Sequence, residues 1–176
     1  MNIVDCIFGA AYVLESLKRT DNRGDMNLCF HRDQLAENEI HFSMTEQRIY
    51  RIPRSGTFFG IHYQEAAFPQ AKLITVLQGS GLDYLIDLRR DSPSYRQWKA
   101  VEVNSDNARI IYIPAGFGHG FLSTVDDTIQ LFAVDAPFIE GAARSIHYAD
   151  PAIGLKLPVA APILSEKDKN APLWEE

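Results

Sequence analysis

Residues 72–88, with the sequence KLITVLQGSGLDYLIDL, predict two β-strands joined by a tight turn. The first half is mostly apolar and rich in β-branched side chains, and Gly79-Ser80-Gly81 is typical of a hairpin turn. In the second half, alternation places four apolar residues on one face: Leu82, Tyr84, Ile86 and Leu88. Asp83 and Asp87 lie on the other face. Such a pair of strands indicates a protein built mainly of β-structure.

Short runs of similar composition follow one another along most of the chain. We predict further strands at 39–43, 47–52, 57–63, 98–103, 109–113, 120–124 and 128–134, separated by turn-forming clusters. Helical spacing occurs only at 9–18 and in the turn at 32–37. So many short strands favour a sandwich or closed barrel, because a flat sheet of them would leave exposed edges. The proline-rich residues from 158 onward are expected to wrap the surface as an irregular tail.

The composition is that of one soluble domain. The chain has 176 residues and a mass of 19.8 kDa, and 46% of its residues are hydrophobic and 23% charged. Its 17 lysines and arginines against 23 acidic residues give a net charge of −6, and there is no basic stretch. Nucleic-acid binding is therefore not expected. An anionic ligand would have to be held by a few cations placed locally.

Neither a membrane nor a secretory route is expected. No run approaches the roughly 18 apolar residues that span a bilayer, and the N-terminus lacks the basic start of a signal peptide. The two cysteines, Cys6 and Cys29, are too few for a disulfide framework. A reducing, cytoplasmic location follows as the expectation.

Two of the five histidines lie in segments that favour chemistry. His62 lies in GIHYQ (60–64), and His119 lies in PAGFGHGF (114–121), which resembles the second motif of cupin barrels. Metal-binding cupins supply His-x-His and a later glutamate in their first motif, whereas this chain has His62-Tyr63-Gln64. A transition metal takes three or four such ligands. With two available, no metal is expected, and a metal-dependent cupin is the least favoured alternative.

His62 and Lys72 together favour proton transfer without a metal. Histidine titrates near neutral pH, so it can take a proton from carbon if the carbanion is stabilised. Lys72 interrupts an apolar strand, and a buried cation is costly unless it has a partner or a function, such as holding an enolate oxygen. The alternative is that His62 is a hydrogen-bonded structural residue and that Lys72 faces solvent at a strand end.

Several segments, in order along the chain, resemble the dTDP-4-dehydrorhamnose 3,5-epimerases, which are cupin-fold enzymes. They lie between about Arg23 and Asp168, at 60–64, 70–73, 87–94, 113–121, 150–151 and 164–168. The resemblance implies one all-β cupin domain over 1–176, a double-stranded β-helix or jelly roll with its core at 51–135 and a wrapping tail at 158–176. It further implies a homodimer that exchanges strands from 1–50, a nucleotide-sugar substrate, and no metal or organic cofactor.

The same resemblance implies a reaction and the residues that carry it. A 4-keto-6-deoxy sugar nucleotide loses a proton from carbon 3, carbon 5 or both and regains one on the opposite face, during deoxysugar and surface-polysaccharide biosynthesis. His62 matches the base, Asp168 the carboxylate that orients it, and Lys72 the cation beside the keto oxygen. Other matches to substrate-pocket positions are Arg23, Gln47, Arg109, His119 and Lys167.

The chain departs from the family pattern around this centre. The tyrosine that returns the proton falls at Phe132, which has no transferable proton, and a second tyrosine near the nucleotide falls at Phe138. The arginine normally three residues before the base is Phe59. We expect both Phe132 and Phe138 in the substrate pocket, and the alternative to an active epimerase is a homologue that only binds the sugar nucleotide. Tyr84 and Tyr112 are candidate replacements for the proton donor that the sequence does not place.

Overall fold

The computed structural model describes residues 1–174, and its regular structure is almost entirely β-strand. The strands are β1 (Asn2–Ile7), β2 (Ala11–Glu15), β3 (Lys18–Asp21), β4 (Gly24–Asn27), β5 (Glu46–Ile52), β6 (Phe58–Gln64), β7 (Lys72–Gln78), β8 (Ser80–Asp87), β9 (Trp98–Asn104), β10 (Arg109–Ile113), β11 (Phe117–Ser123), β12 (Thr128–Val134) and β13 (Ala143–Ser145). The α-helices are α1 (Arg32–Glu37) and α2 (Glu166–Lys169), and Glu140–Ala142 form a 3₁₀ turn. Within the described range, no helix is long and apolar enough to cross a membrane. The end of the predicted tail, residues 175–176, lies outside that range.

The strands form two antiparallel sheets that share one apolar core. One sheet has the order β1-β2-β10-β7-β12-β5 and the other the order β13-β6-β11-β8-β9, while β3 and β4 pair only with each other. Ile74 and Ile111 from the first sheet meet Leu85 and Phe121 from the second in this core. Because neighbouring strands are mostly distant in sequence, the arrangement is that of a jelly roll. The all-β prediction is confirmed.

The glycine turn within residues 72–88 joins the two sheets, so the predicted hairpin pairing is wrong. β7 pairs with β10 and β12, whereas β8 pairs with β11 and β9. Gly79 has a φ of +80°, and a Cβ there would lie 2.7 Å from Thr128 Oγ1. A positive φ serves a sharp change of direction as well as it serves a hairpin. Since each strand already has partners on both sides, the chain turns from one sheet into the other.

Residues 9–18 do not form the predicted helix, because β2 takes their place between β1 and β10. Ala11 and Val13 enter the core between the sheets, while Leu14 packs in an outer cluster that includes Leu35 of α1. A strand that is buried on both faces carries a nearly continuous apolar run, which also satisfies helical spacing.

Residues 39–43 form no strand either. Ile40 and Phe42 are buried against Leu73 and Ala133, so their alternation reflects packing onto the sheet and not a ladder of hydrogen bonds. The helix predicted at 32–37 is confirmed as α1. The remaining predicted strands are present, with boundaries that differ by up to three residues.

Two glycines allow β6 and β11 to approach closely. Gly60 has a φ of +131°, and a Cβ there would lie 2.7 Å from Gly120 Cα and 2.8 Å from the carbonyl oxygen of His119. The pairing of these strands places His62 opposite His119. The close approach at Gly60 thus sets the relative position of both histidines.

Gly60→Ala is expected to destabilise the protein. The new Cβ would meet backbone atoms that cannot rotate away, in a conformation that is strained for an L side chain. We expect urea unfolding to show a loss of about 2–4 kcal/mol in the free energy of unfolding. Gly141→Ala is the control, since nothing lies within 4 Å of a Cβ there, and it should change that free energy by less than about 0.5 kcal/mol. Equal effects of the two substitutions would contradict the close-approach argument.

Candidate active site

A cavity of about 490 Å³ lies between the two sheets. Side chains from β5, β7 and β12 line one wall, and side chains from β6 and β11 line the other, together with α2 and the residues just before it. The cavity brings together six of the predicted site residues, namely His62, Lys72, His119, Phe132, Lys167 and Asp168. Its volume is typical of small-molecule sites.

His62 and Asp168 form a hydrogen-bonded pair at this cavity. His62 Nε2 lies 2.6 Å from Asp168 Oδ1, and the His62 side chain is 39% exposed whereas that of Asp168 is 4% exposed. Burial raises the pKa of Asp168, but hydrogen bonds from His62 and Ser165 more than offset it, so the pKa lies below its ordinary value. Because an ionised carboxylate only accepts, Nε2 carries the proton and Nδ1 keeps the lone pair of a base.

The C-terminal tail holds Asp168 against β6. Ser165 caps α2, and its Oγ accepts a hydrogen bond from the backbone N–H of Asp168. Before α2, the carbonyl of Ile163 accepts from the backbone N–H of Phe58 at 2.9 Å. Beyond α2, the backbone N–H of Trp174 donates to the buried Asp150 at 2.6 Å. The tail is therefore tied to the barrel on both sides of Asp168.

Lys72 is a buried cation on β7. It is 6% exposed, and its Nζ donates to the backbone carbonyl of His62 at 3.1 Å. Burial lowers its pKa from 10.5 to about 8, against the opposing attraction of Asp83. The alternative in which Lys72 faces solvent is thereby excluded. An ammonium held in this way is suited to stabilising an oxyanion in the cavity.

A second imidazole–carboxylate pair lies beside Lys72. His119 Nε2 and Asp83 Oδ1 are hydrogen-bonded, and both side chains are buried. Burial lowers the pKa of His119 and outweighs the attraction of Asp83, so the imidazole is neutral at neutral pH. Asp83 was missed as a site residue from the sequence. The sequence did show that Asp83 lies on the opposite face of β8 from Leu82. In the structure that face points into the core, so Asp83 is buried.

Within one chain, three predicted site residues line neither this cavity nor the one beside it that is described below. Arg23 is at the tip of the β3–β4 hairpin, 84% exposed and paired with Asp21. Gln47 is exposed, and it lies near Cys29 in a separate small hollow. Arg109, at the start of β10, directs Nη1 to the carbonyl of Glu102. Gln47 lies on the opposite face of β5 from Tyr50, and none of the three side chains lines the cavity with His62.

Phe138 lies at a neighbouring cavity of about 230 Å³ that shares Tyr50, His62, Lys72, Phe132 and Lys167 with the first. Two arginines that were not predicted also line it. Arg48 pairs with Glu46 and lies 5.9 Å from the Phe138 ring, and Arg144 pairs with Glu65 at 2.5 Å. The alternation of β5 places Arg48 on the same strand face as Ile52, which is buried, and this pattern indicates that Arg48 points inward.

Comparison with known proteins identifies the family of this chain. The family model described as dTDP-4-dehydrorhamnose 3,5-epimerase matches residues 7–176. The chain belongs to this family. A dTDP-4-dehydrorhamnose 3,5-epimerase of Shigella flexneri is 33% identical over 170 residues, which make up 97% of this chain and 94% of that protein.

Solved structures share the epimerase-family fold with this chain. The crystal structure of dTDP-4-dehydrorhamnose 3,5-epimerase from Bacillus anthracis, with TDP and PPi bound, has a TM-score of 0.95 and 32% identity, covering 98% of this chain and 99% of that one. A 3′-monoepimerase from Streptomyces bikiniensis, in complex with dTDP-quinovose, has a TM-score of 0.87 and 28% identity, covering 93% and 83%. The resemblance drawn from the sequence motifs and the jelly-roll fold are both confirmed.

Neither tyrosine suggested by the sequence lines the cavity of this member of the family. Tyr84 is 1% exposed in a cluster outside the cavity, and Tyr112 stacks on Tyr12 with ring centroids 6.1 Å apart. Phe132 does line the cavity, with its ring centroid 6.2 Å from that of His119. The position matched to the family's proton donor is therefore an apolar part of the wall.

Lys72→Met is expected to remove a pH dependence of stability. With a pKa of about 8 when folded against an ordinary 10.5, Lys72 binds fewer protons in the folded than in the unfolded state between these values. The contribution of Lys72 to the free energy of unfolding therefore rises with pH across that window, by up to about 3 kcal/mol. We expect the wild-type free energy of unfolding minus that of the variant to increase accordingly between about pH 8 and 10.5, as measured in urea.

The difference between the two proteins isolates Lys72. Burial raises the pKa values of Tyr63, Tyr84 and Tyr112, so these tyrosines lower the free energy of unfolding as the pH rises. Their effect is the same in the wild type and the variant, and it cancels in the difference. Lys169→Met, at an exposed lysine paired with Glu166, is the control and should give a flat difference. A flat difference for Lys72→Met as well would show that Lys72 is not a buried cation.

Proposed function

We propose that this protein epimerises a nucleotide-linked 4-keto-6-deoxy sugar at carbon 3, carbon 5 or both. The observation that carries the proposal is the His62–Asp168 pair in one cavity with the buried Lys72. Membership of the epimerase family and the fold shared with a TDP-bound structure support it. The reaction would serve deoxysugar and surface-polysaccharide biosynthesis in the cytoplasm.

The chemistry begins with removal of a proton from a carbon beside the ketone. His62 takes this proton as the base, and Asp168 stabilises the imidazolium that forms. Lys72 stabilises the enolate oxygen as negative charge develops on it. Since Lys72 Nζ lies 3.1 Å from the carbonyl oxygen of His62 itself, base and cation serve the same part of the cavity. Reprotonation on the opposite face of the ring then inverts the carbon.

Cations at the neighbouring cavity fit the diphosphate of such a substrate. Arg48, Arg144 and Lys167 line it, next to Lys72. Charge-assisted contacts from arginine to phosphate are strong and geometrically specific, so a chain of net charge −6 can bind an anion at one place. Phe138, whose ring lies beside Arg48, would flank the nucleotide.

His62→Ala is expected to abolish hydrogen exchange at the sugar carbons. The wild-type protein, incubated in D₂O with dTDP-4-dehydro-6-deoxyglucose, should incorporate solvent deuterium at carbon 3, carbon 5 or both. Loss of the general base should reduce that rate by about 10²-fold or more, because the ketone alone does not remove the proton. Proton NMR of the sugar resonances measures both rates.

His41→Ala is the matched control, since His41 is exposed and lies outside the cavity, and it should exchange at the wild-type rate. The counterparts with UDP and GDP test other nucleotides. If the wild-type protein incorporates no deuterium from any of them but is stabilised by the ligand against heat, the non-catalytic binding alternative replaces the epimerase. Incorporation at one carbon alone would assign a single-carbon epimerase.

Residues 1–50 are proposed to contribute strands to a homodimer. β3 and β4 are exposed along their whole length and pair only with each other. Met26 within β4 and Leu17 just before β3 are each 46% exposed. A second copy of the chain would cover this surface. Arg23, at the tip of the hairpin, would then approach the nucleotide in the neighbouring subunit's cavity.

Light scattering after gel filtration tests the dimer. The wild-type protein is expected at about twice the chain mass of 19.8 kDa, and Met26→Asp should shift it toward a single chain because it places a charge in the interface. Phe68→Asp, at an exposed residue away from the hairpin, should leave the mass unchanged. A wild-type mass near 19.8 kDa would exclude the exchange of strands.

A further inference from the structure

Inversion at carbon requires two groups on opposite sides of the sugar ring. This inference rests on the proposed function, in which His62 removes the proton. A base that returned the proton from its own side would regenerate the starting sugar. The protein therefore needs a proton donor on the wall that faces His62, and Phe132 on that wall has no proton to give.

Tyr50 is the only tyrosine among the described residues that line the 490 Å³ cavity. It belongs to β5 in the six-stranded sheet, whereas His62 belongs to β6 in the five-stranded sheet. The two side chains thus reach the cavity from opposite walls. Lys167 neighbours Asp168 on α2, which contacts the strand of His62, and His119 is held by Asp83.

The ring of Tyr50 is packed between two phenylalanines. Its centroid lies 5.6 Å from that of Phe59, at an interplanar angle of 64°, and 5.9 Å from that of Phe132, at 83°. Both contacts are edge-to-face, which is a favourable geometry for aromatic pairs. Phe59 and Phe132 are also two of the positions at which the sequence departs from the family pattern. The two departures therefore contact one and the same tyrosine.

The Tyr50 side chain also has a cation beside it. Arg48 lies two residues earlier on the same strand face, and its guanidinium is hydrogen-bonded to Glu46. This hydrogen bond and the nearby Tyr50 both raise the pKa of Arg48. A phenol that gives up its proton leaves a phenolate, and a neighbouring guanidinium stabilises that charge. Tyr50 is thus placed to act as an acid.

We propose that Tyr50 is the catalytic residue that delivers the proton to the ring face opposite His62. The electron pair of the enolate carbon takes the hydroxyl proton of Tyr50, so that a C–H bond forms, the O–H bond breaks and the ketone re-forms. Tyr50 remains as a phenolate beside Arg48, and His62 holds the proton removed earlier. Water transfers that proton from the imidazolium to the phenolate, so no other reactant is consumed.

Tyr50→Phe separates proton delivery from proton removal. In D₂O with dTDP-4-dehydro-6-deoxyglucose, the variant should form inverted product about 10²-fold more slowly than wild type. His62 should still remove protons and return deuterium to the same face, so the unchanged sugar should become deuterated. A merely structural role for Tyr50 would lower exchange and inversion together. Tyr50→Phe/Phe132→Tyr restores a phenol at the same wall and should regain at least about tenfold in inversion.

Tyr112→Phe is the matched control, because it removes a hydroxyl outside the cavity and should leave both rates unchanged. Inversion by Tyr50→Phe at the wild-type rate would overturn the assignment of Tyr50 and leave the proposed function standing. A wild-type protein without any exchange would overturn the proposed function itself. If Tyr50→Phe lowers the thermal midpoint, the double variant decides, since recovery of inversion supports the assignment and its absence in a folded, dTDP-binding protein contradicts it.

Discussion

The hydrogen bond between His62 and Asp168 joins residues 106 positions apart, and it depends on the path that the chain takes after the last strand. α2 is only four residues long and would not be stable alone, so its position depends on Ser165 as its cap and on the tail contacts on either side. Without the tail, His62 would be an imidazole at the edge of a cavity with no carboxylate to hold its orientation. The proposed base is thus completed only when the C-terminal segment has docked.

The local pattern of the sequence predicted strands well and their partners poorly. Alternation identified β8 and the apolar strand β7, but it does not say which strand pairs with which, and the glycine turn at Gly79 suits a hairpin and a sheet crossing equally. The helix expected at 9–18 failed for a related reason. A strand covered on both faces loses the alternation that distinguishes it from a helix, and only the three-dimensional arrangement shows that both faces are covered.

The candidate site was predictable where a family motif and strand geometry agreed, as at His62, Lys72 and Asp168. The family motif and strand geometry disagree on β5. The motif match predicts that Gln47 lines the substrate pocket, whereas alternation from the buried Ile52 predicts Arg48 and Tyr50 there. In the structure the alternation prevails, because a strand of a closed barrel presents every second residue to the interior. Arg48 and Tyr50, which strand geometry adds there, are the residues on which the proposed delivery of the proton depends.

Phe59 also bears on the charge of Lys72. Burial already lowers the pKa of Lys72 to about 8, which leaves the ammonium largely protonated near neutral pH. An arginine at position 59, on the same cavity, would repel that ammonium and lower its pKa further. A phenylalanine adds no charge, and by excluding water it would strengthen the attraction between Lys72 and the oxyanion of the proposed reaction. Compared with an arginine, the aromatic ring that packs on Tyr50 therefore also favours the charged form of Lys72, which the proposed reaction requires.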